Sequence, residues 1–142
     1  MTAEKTTIDK ALKTYLSSSA ELSDIVGQRI FVGVAPENTK APYICIYRIS
    51  PGHLGDVPYK RPRYQISNFA PSYSVAREMA QIEVDMLERY KGMMGEFPVA
   101  NVTIDNEQGD YENNTKLHQI AVDVFMMYQD RVVVNGTSHK IE

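Results

Sequence analysis

The strongest pattern of apolar and polar positions in the chain lies between Ser72 and Lys91. Apolar side chains recur there every three or four residues, at Val75, Met79, Ile82, Met86 and Tyr90. An α-helix with about 3.6 residues per turn places side chains at this spacing along one side, where they can pack on a core. Ser72 or Ser74 can cap the first turn, and Gly92 suits the left-handed conformation beyond the last turn. The pattern therefore predicts a long central helix.

Segments with the apolar patterns of β-strands lie on both sides of this helix. They are R-I-F-V-G-V, Y-I-C-I-Y-R-I, R-Y-Q-I-S-N-F-A, V-A-N-V-T-I-D and K-L-H-Q-I-A-V-D-V-F-M-M-Y. A short helix is predicted from Ile8, and a further helical turn from Ala20 should stop at Gly27. Residues 93–98 are predicted to be a connector, and residues 106–115 are predicted to be an acidic turn.

This order of elements predicts an α+β fold. A mostly antiparallel β-sheet is packed on one face by the long central helix and the short N-terminal helix. The length of 142 residues favours a single domain spanning residues 1–142. Residues 131–142 are predicted to form a tail or a hairpin, because Asn135-Gly136 is a strong signal for a two-residue turn.

Composition and charge narrow the functional classes. The formal net charge of −3 gives no electrostatic basis for direct recognition of a nucleic-acid sequence. No stretch approaches the roughly 18 apolar residues of a membrane span, so we expect no membrane association. The single cysteine, Cys45, excludes an intrachain disulfide and agrees with a reducing compartment. We therefore expect the protein to fold in cytoplasm.

The residue types that commonly perform catalysis are scattered along the chain. His53, His118 and His139 have no metal-ligand spacing to one another or to Cys45. Cys45 lies mid-strand between isoleucines, as a buried apolar residue would. No phosphate-binding, dinucleotide-binding or nucleophile-elbow motif occurs. We therefore predict no catalytic residue, no metal and no cofactor.

Two charged clusters each have a functional and a simpler interpretation. The acidic residues of the segment 105–112 could hold a divalent cation, but they lack calcium-loop spacing and favour a solvated turn. Lys60, Arg61 and Arg63 lie beside two tyrosines, a combination that can bind single-stranded nucleic acid. The same residues more simply form the solvated base of a loop, or half of a protein–protein contact.

Two surfaces remain as candidates for contacts with other proteins. Ser50–Pro62 contains three prolines and two glycines, which predicts a long loop, mobile over residues 51–62. The polar side chains of the strands fall on one predicted sheet face, at Gln65, Ser67, Gln119 and Asp123. Such a face, which also includes apolar residues, is either solvated or packed on another subunit.

Five segments share their order and pattern with a known family. They are A-L-K-T-Y-L-S-S-S-A-E-L-S-D-I-V-G-Q-R-I-F, A-P-E-N-T-K-A-P-Y-I-C-I-Y, R-Y-Q-I-S-N-F-A, S-V-A-R-E-M-A-Q-I-E-V-D-M-L and the strand ending in V-D-V-F-M-M-Y. Together they resemble the tail-completion proteins of long-tailed bacteriophages, also called tail terminators or head-to-tail joining proteins. The resemblance spans Ile8 to about Asp130.

The resemblance implies a sheet with helices on one side, assembled as a hexameric ring that caps the finished tail tube and docks to the head connector. The implied partners are other copies of the chain, the tail tube protein, and the head connector or a head-completion protein. The implied location is the tail or neck of the virion, with host cytoplasm during assembly. Loop 51–62 matches the position of a long mobile loop in the family. The residues predicted to contact subunits or partners are Pro51, Gly52, His53, Leu54, Gly55, Asp56, Val57, Pro58, Tyr59, Lys60, Arg61, Arg63, Gln119 and Asp123.

Two alternatives stay open at this point. Another ring component of the phage neck or tail, such as a tube protein or a connector adaptor, would have a similar geometry. A small-ligand enzyme could instead use residues 51–63 as a lid over Tyr47, Tyr59 and His118. The oligomeric state distinguishes a ring of identical subunits from a monomer with a deep pocket.

Overall fold

The computed structural model describes residues 7–129, and the tail or hairpin predicted over residues 131–142 lies outside the described residues. The helices in this part of the chain are α1 Ile8–Ser17, α2 Ala20–Val26 and α3 Tyr73–Leu87. The strands are β1 Ile30–Val32, β2 Tyr43–Ser50, β3 Tyr59–Lys60, β4 Arg63–Ala70, β5 Gly92–Met94, β6 Phe97–Glu112 and β7 Leu117–Gln129. The architecture of residues 7–129 is α+β, with three helices and a mixed sheet.

Capping side chains fix the starts of the helices. Thr7, Ser19 and Ser72 each accept a hydrogen bond from the backbone N–H three residues ahead. Each bond satisfies a donor that has no partner within the first turn. α2 ends at Gly27, which has φ of 58°, as its sequence predicts.

The long helix ends one turn earlier than the sequence predicts. α3 stops at Leu87, and Arg89 takes the left-handed conformation after the helix, with φ of 64°. Gly92, predicted for this role, begins β5 with φ of 139°. The Arg89 N–H donates to the Val102 oxygen at 3.1 Å, so a bond to β6 replaces the last predicted helical turn. With 15 residues, α3 is about 22 Å long. No helix in the described part of the chain has the length and apolar character needed to cross a membrane.

The sheet contains both parallel and antiparallel pairs. Its strand order is β1-β2-β4-β7-β6-β5. The short strand β3 lies outside this order and pairs with the end of β7, at Tyr128 and Gln129. β1 and β2 are parallel, while the other pairs of the described strands are antiparallel. β4 and β7 lie at the centre, in register from Arg63 opposite Phe125 to Ala70 opposite His118.

Two segments predicted as connections are strands. β5 and β6 form a tight hairpin through Gly95, with φ of 62°, where the sequence predicted a connector. β6 then continues to Glu112, so the predicted acidic turn over residues 106–115 is wrong for residues 106–112, and the chain turns at residues 113–116. β7 supplies backbone partners for β6 as far as the pair Glu112–Leu117. The carboxylates of β6 are exposed, so they stay hydrated while the backbone of β6 forms hydrogen bonds with β7.

The core lies between the helices and one face of the sheet. Tyr64 and Asn68 alternate with apolar residues along β4 on this face. The Tyr64 hydroxyl donates to Asp9 on α1, and the Asn68 amide donates to Glu83 on α3. Both helices therefore cover the same face of the sheet. The opposite face is called the helix-free face below.

Candidate functional site: the loop base and the helix-free face

The predicted contact residues of the strands lie together on the helix-free face. Gln65 is directly opposite Asp123, and Phe69 is directly opposite Gln119, across β4 and β7. Residues two positions apart on a strand point to the same side, which places Ser67 on this face too. The prediction that these polar side chains share one sheet face is confirmed.

A continuous row of hydrogen bonds links these side chains. Gln119 Nε2 donates to Ser67 Oγ at 3.1 Å, and the Ser67 hydroxyl donates to Gln65 Oε1 at 3.4 Å. Gln65 Nε2 donates to Asp123 Oδ1 at 3.3 Å, and Arg63 donates to Asp123 Oδ2 at 2.6 Å. We call these five residues the polar row. Its buried residues, Ser67 and Asp123, have hydrogen-bond partners, whereas Arg63 Nε is buried without one.

The ion pair at the end of the polar row is the strongest contact in it. The Asp123 side chain is 5% exposed, whereas the Arg63 side chain is 36% exposed. Arg63 also lies 3.8 Å from Asp105 on β6. Removing the arginine would leave a buried carboxylate without its cation, which is strongly unfavourable. The pair therefore fixes β4 against β7 and holds the helix-free face in one shape.

The base of the predicted loop is anchored. Gly52 has φ of 70°, and a Cβ atom added there would lie 2.1 Å from the backbone carbon of Arg61. The Arg61 N–H donates to the Gly52 oxygen at 2.8 Å. The Arg61 guanidinium lies 4.1 Å from the ring centroid of Phe125, a cation–π contact. Because only glycine allows so close an approach, this position holds the two ends of the loop together.

Two further pairings order the loop beyond its base. β3 pairs with the end of β7, and His53 forms an isolated bridge with Lys60. The sequence did not predict β3, because two residues are too few to show a strand pattern. The tip of the loop exposes the apolar side chains of Leu54 and Val57, at 42% and 50%. The other loop candidates are also exposed, namely Pro51, Gly55, Asp56, Pro58 and Tyr59. The mobility of residues 51–62 stays a prediction.

A concavity of about 720 Å³ lies toward the end of the helix-free face that is remote from the loop. Tyr43 and Phe69 stack in its wall with ring centroids 4.8 Å apart, and Cys45 and Gln119 also line it. The segment 34–41 borders it. The sequence showed only a polar, proline-bounded loop there, which gives no signal that it encloses space. The mixed lining could receive a small ligand or a side chain of another protein.

The residues considered for an enzyme do not come together. Tyr59 pairs with Gln129 at one end of β7, whereas His118 lies near the other end, about 36 Å away at roughly 3.3 Å per residue. The His118 ring contacts Tyr111, with centroids 4.6 Å apart. Cys45 is 6% exposed, and burial raises the pKa of its thiol. Among residues 7–129, no group of three or more His, Cys, Asp or Glu side chains could hold a metal ion.

The predicted basic-aromatic cluster is divided between the two faces of the sheet. Arg61 and Arg63 lie on the helix-free face near the ring of Phe125. Tyr64 is fully buried on the other face, where its hydroxyl donates to Asp9. Burial and the contact with Asp9 raise the pKa of Tyr64. The cluster is therefore not one surface that could stack and bind a nucleic acid.

The sequence analysis missed a buried carboxyl group at the contact between α3 and the sheet. Glu83 is fully buried, and its Oε1 accepts a 2.8 Å hydrogen bond from Asn68 Nδ2. Burial raises the pKa of Glu83 well above its usual value; the Asn68 hydrogen bond opposes this rise, and the Glu107 carboxylate adds to it. The sequence contained a signal, because Glu83 lies three residues after the buried Ala80 on the apolar side of the helix.

Comparisons with known proteins agree with this architecture. A family model described as tail completion protein gp17 matches residues 10–129. A chain from the virion of a native gene transfer agent particle has the same fold, with a TM-score of 0.72 and 13% identity, over 85% of this chain and 93% of that chain. A second solved structure has a TM-score of 0.54 and 18% identity, over 89% of this chain and 96% of that chain. No curated protein sequence matches the chain.

The family match covers all the strands described above and all but the first two residues of α1. It confirms the resemblance inferred from the sequence. The chain belongs to the family of tail completion protein gp17 and is a structural protein of a phage tail.

Proposed function

We propose that this protein caps the completed tail tube as a closed hexameric ring and joins the tail to the head connector, without catalysing a reaction. The match of the tail-completion model over residues 10–129 is the observation on which the proposal rests, because it includes the whole sheet and the loop. The proposed partners are further copies of the chain, the tail tube protein, and the head connector or a head-completion protein. Assembly takes place in the host cytoplasm, and the protein stays in the virion.

The loop and the helix-free face support a role in contacts with other virion proteins. The polar row holds the helix-free face in one shape, and Gly52 fixes the base of the loop against Arg61. Leu54 and Val57 are exposed at the tip, beyond this fixed base. Exposed apolar side chains close together are a common feature of protein–protein contact sites. We assign the contact with the tail tube or the connector to the loop tip and the adjacent helix-free face.

Complementation of a phage that lacks this gene tests the proposal. Wild-type protein should restore joined particles, counted by electron microscopy. The double variant Leu54→Ser/Val57→Ser leaves Gly52 and β3 intact, so it should keep its melting temperature but leave heads and tails separate. The matched control is Tyr73→Ser/Met93→Ser, which removes two apolar side chains that are each 55% exposed outside the loop. The control should join heads to tails normally.

Each outcome of this experiment has a defined meaning. Normal joining in the absence of the protein would refute the proposed function. Normal joining by the loop variant would refute the loop contact and leave the function in place. Immunogold labelling distinguishes the ring components: a tail terminator is labelled at the head-proximal end of the tail, a tube protein along the whole tail, and a connector adaptor on heads without tails.

A further inference from the structure

Among the strands of residues 7–129, the sheet has an open edge at each of its two sides. At one side, β1 pairs with β2 and with no other strand in this part of the chain. At the other side, β5 covers only Phe97–Val99 of β6, and Arg89 donates to the Val102 oxygen. Among the described residues, no strand pairs with the outer side of β6 over residues 103–112. An open edge presents backbone N–H and C=O groups that can bind another chain.

The open edge of β6 is acidic. Asp105 and Glu107 are held by arginines of the same chain, since Arg63 lies 3.8 Å from Asp105 and Arg77 donates to Glu107 at 2.7 Å. Asp110 and Glu112 lie farther along the strand and are exposed. Within residues 7–129, no cation forms a salt bridge with either of them. Tyr111 lies between them in sequence, but its side chain points to the opposite face of the strand, where its ring contacts His118.

The edge at β1 has the opposite charge. A groove of about 520 Å³ lies between α1 and the segment that begins with β1. Lys10 and Lys13 line one wall, and Val32 and Val34 line the other. No carboxylate of residues 7–129 lines this groove. Val32 is 41% exposed and Val34 is 77% exposed. The groove therefore combines two cations with an exposed apolar surface beside an open strand.

We propose that the β6 edge of one copy docks in the β1 groove of the next copy, with Asp110 and Glu112 facing Lys10 and Lys13. This inference rests on the proposed function, because it identifies the contact that would build the ring. Complementary charge is the observation that favours a second copy as the occupant. Because the two surfaces lie on opposite sides of one sheet, the contact is head-to-tail, and a head-to-tail contact generates a ring when its rotation closes.

Charge reversal in a mixture of two variants tests this contact. Lys10→Glu/Lys13→Glu makes the groove acidic, and Asp110→Lys/Glu112→Lys makes the edge basic. Each variant alone brings like charges together, so each should reduce joined particles at least about tenfold in the complementation assay. Expressed together, the two variants can alternate around a ring with an even number of subunits and should restore joining. A single chain with all four substitutions should also restore it.

The matched control is Glu78→Lys/Glu88→Lys, which reverses two exposed carboxylates outside both edges. It should join normally, and each variant should keep the melting temperature of the wild type within a few degrees. Normal joining by the single-edge variants, or failure of the mixture and of the fourfold variant to rescue, would overturn the proposed contact. The proposed function fails separately, only if phage without the protein yields joined particles.

Discussion

Asn68 Nδ2 donates a 2.8 Å hydrogen bond to Glu83 Oε1 inside the contact between α3 and the sheet. The same nitrogen donates to the Ile120 oxygen at 3.1 Å, while Asn68 Oδ1 and Glu83 Oε2 are buried without a partner. Protonation of Glu83 would supply a donor for Asn68 Oδ1. A neutral carboxyl group also avoids the cost of a buried charge, which agrees with the raised pKa of Glu83. Burial and the unpaired Asn68 Oδ1 therefore both favour the protonated form of Glu83 in the folded protein.

The stability of the protein should depend on the ionisation of Glu83. Because the pKa of Glu83 is raised in the folded state above about 4.3, its usual value in an unfolded chain, its contribution is complete below pH 4.3 and is lost as the pH rises through the folded pKa. Glu83→Gln keeps an acceptor for Asn68 and adds an N–H donor that never ionises. We expect this variant to exceed the wild type in free energy of unfolding by about 1–3 kcal/mol at pH 8, measured in urea. The difference should shrink toward pH 4.

The control for this prediction lies on the same helix. Glu78→Gln changes an exposed carboxyl group and should show no comparable pH dependence. Glu107 faces Glu83 from β6 and forms a 2.7 Å ion pair with Arg77, and Glu83→Gln changes neither residue of this pair. The result would contradict a protonated Glu83 if the free energy of unfolding of the wild type rose relative to that of Glu83→Gln as the pH increased.

Two methionines of the predicted helical stripe should differ in their contribution to stability. Both residues belong to α3; the Met79 side chain is fully buried in the core, whereas the Met86 side chain is only partly buried. Met79→Ala should lower the free energy of unfolding by about 2–5 kcal/mol, because it leaves a cavity in the core. Met86→Ala should lower it by about 1 kcal/mol. Chemical denaturation measures both, and equal losses would mean that the helix presents a different side to the sheet.

Substitutions at two glycines of the loop test whether its base is anchored at Gly52, with Gly55 as the control. Both have positive φ, 70° at Gly52 and 79° at Gly55. A Cβ atom would collide with the backbone of Arg61 at Gly52, but would meet nothing within 4 Å at Gly55. Gly55→Ala should cost about 1 kcal/mol through backbone strain alone, and Gly52→Ala should cost about 1–3 kcal/mol more.

Hydrogen exchange locates the effect of these two substitutions. The Arg61 N–H is bonded to the Gly52 oxygen, so Gly52→Ala should speed its exchange while Gly55→Ala leaves it unchanged. Equal exchange of this amide in both variants would show that the base of the loop is not closed at Gly52.

Local patterns in the sequence predicted the elements that depend on nearby residues. The N-caps Thr7 and Ser72 and the stop at Gly27 follow from the backbone groups that the ends of a helix leave without partners. The alternation along β4 and β7 placed Gln65 and Asp123 on one face, because strand side chains alternate with a period of two. Both the elements and the polar face could therefore be inferred before the structure.

The features that the sequence did not predict depend on distant partners. β6 runs through the acidic segment because β7 pairs with it, and α3 ends early because Arg89 bonds to β6. The spacing from Ala80 places Glu83 on the apolar side of the helix, but its hydrogen-bond partner Asn68 lies on β4, so no local pattern specifies the buried pair. The β1 groove requires α1 beside β1, a contact that no local pattern specifies.

Cys45 should behave as a structural residue. It lies on β2 opposite Ser67, is 6% exposed, and has a thiol pKa that burial raises. Burial limits access of a reagent, and the raised pKa lowers the thiolate fraction. A maleimide should therefore label folded wild-type protein about tenfold or more slowly than an exposed thiol at pH 8. The comparison is Val34→Cys in a Cys45→Ser background, because Val34 is 77% exposed. In denaturant the two proteins should react at the same rate.

The same substitution tests whether the thiol has a chemical role. Cys45→Ser replaces the sulfur with a hydroxyl at a position close to the polar row, so it should fold with a modest loss of stability and restore joined particles to the wild-type number. A folded Cys45→Ser protein that fails to join heads to tails would indicate that the thiol takes part in function. Fast labelling of the folded wild type would show that the concavity beside Cys45 opens in solution.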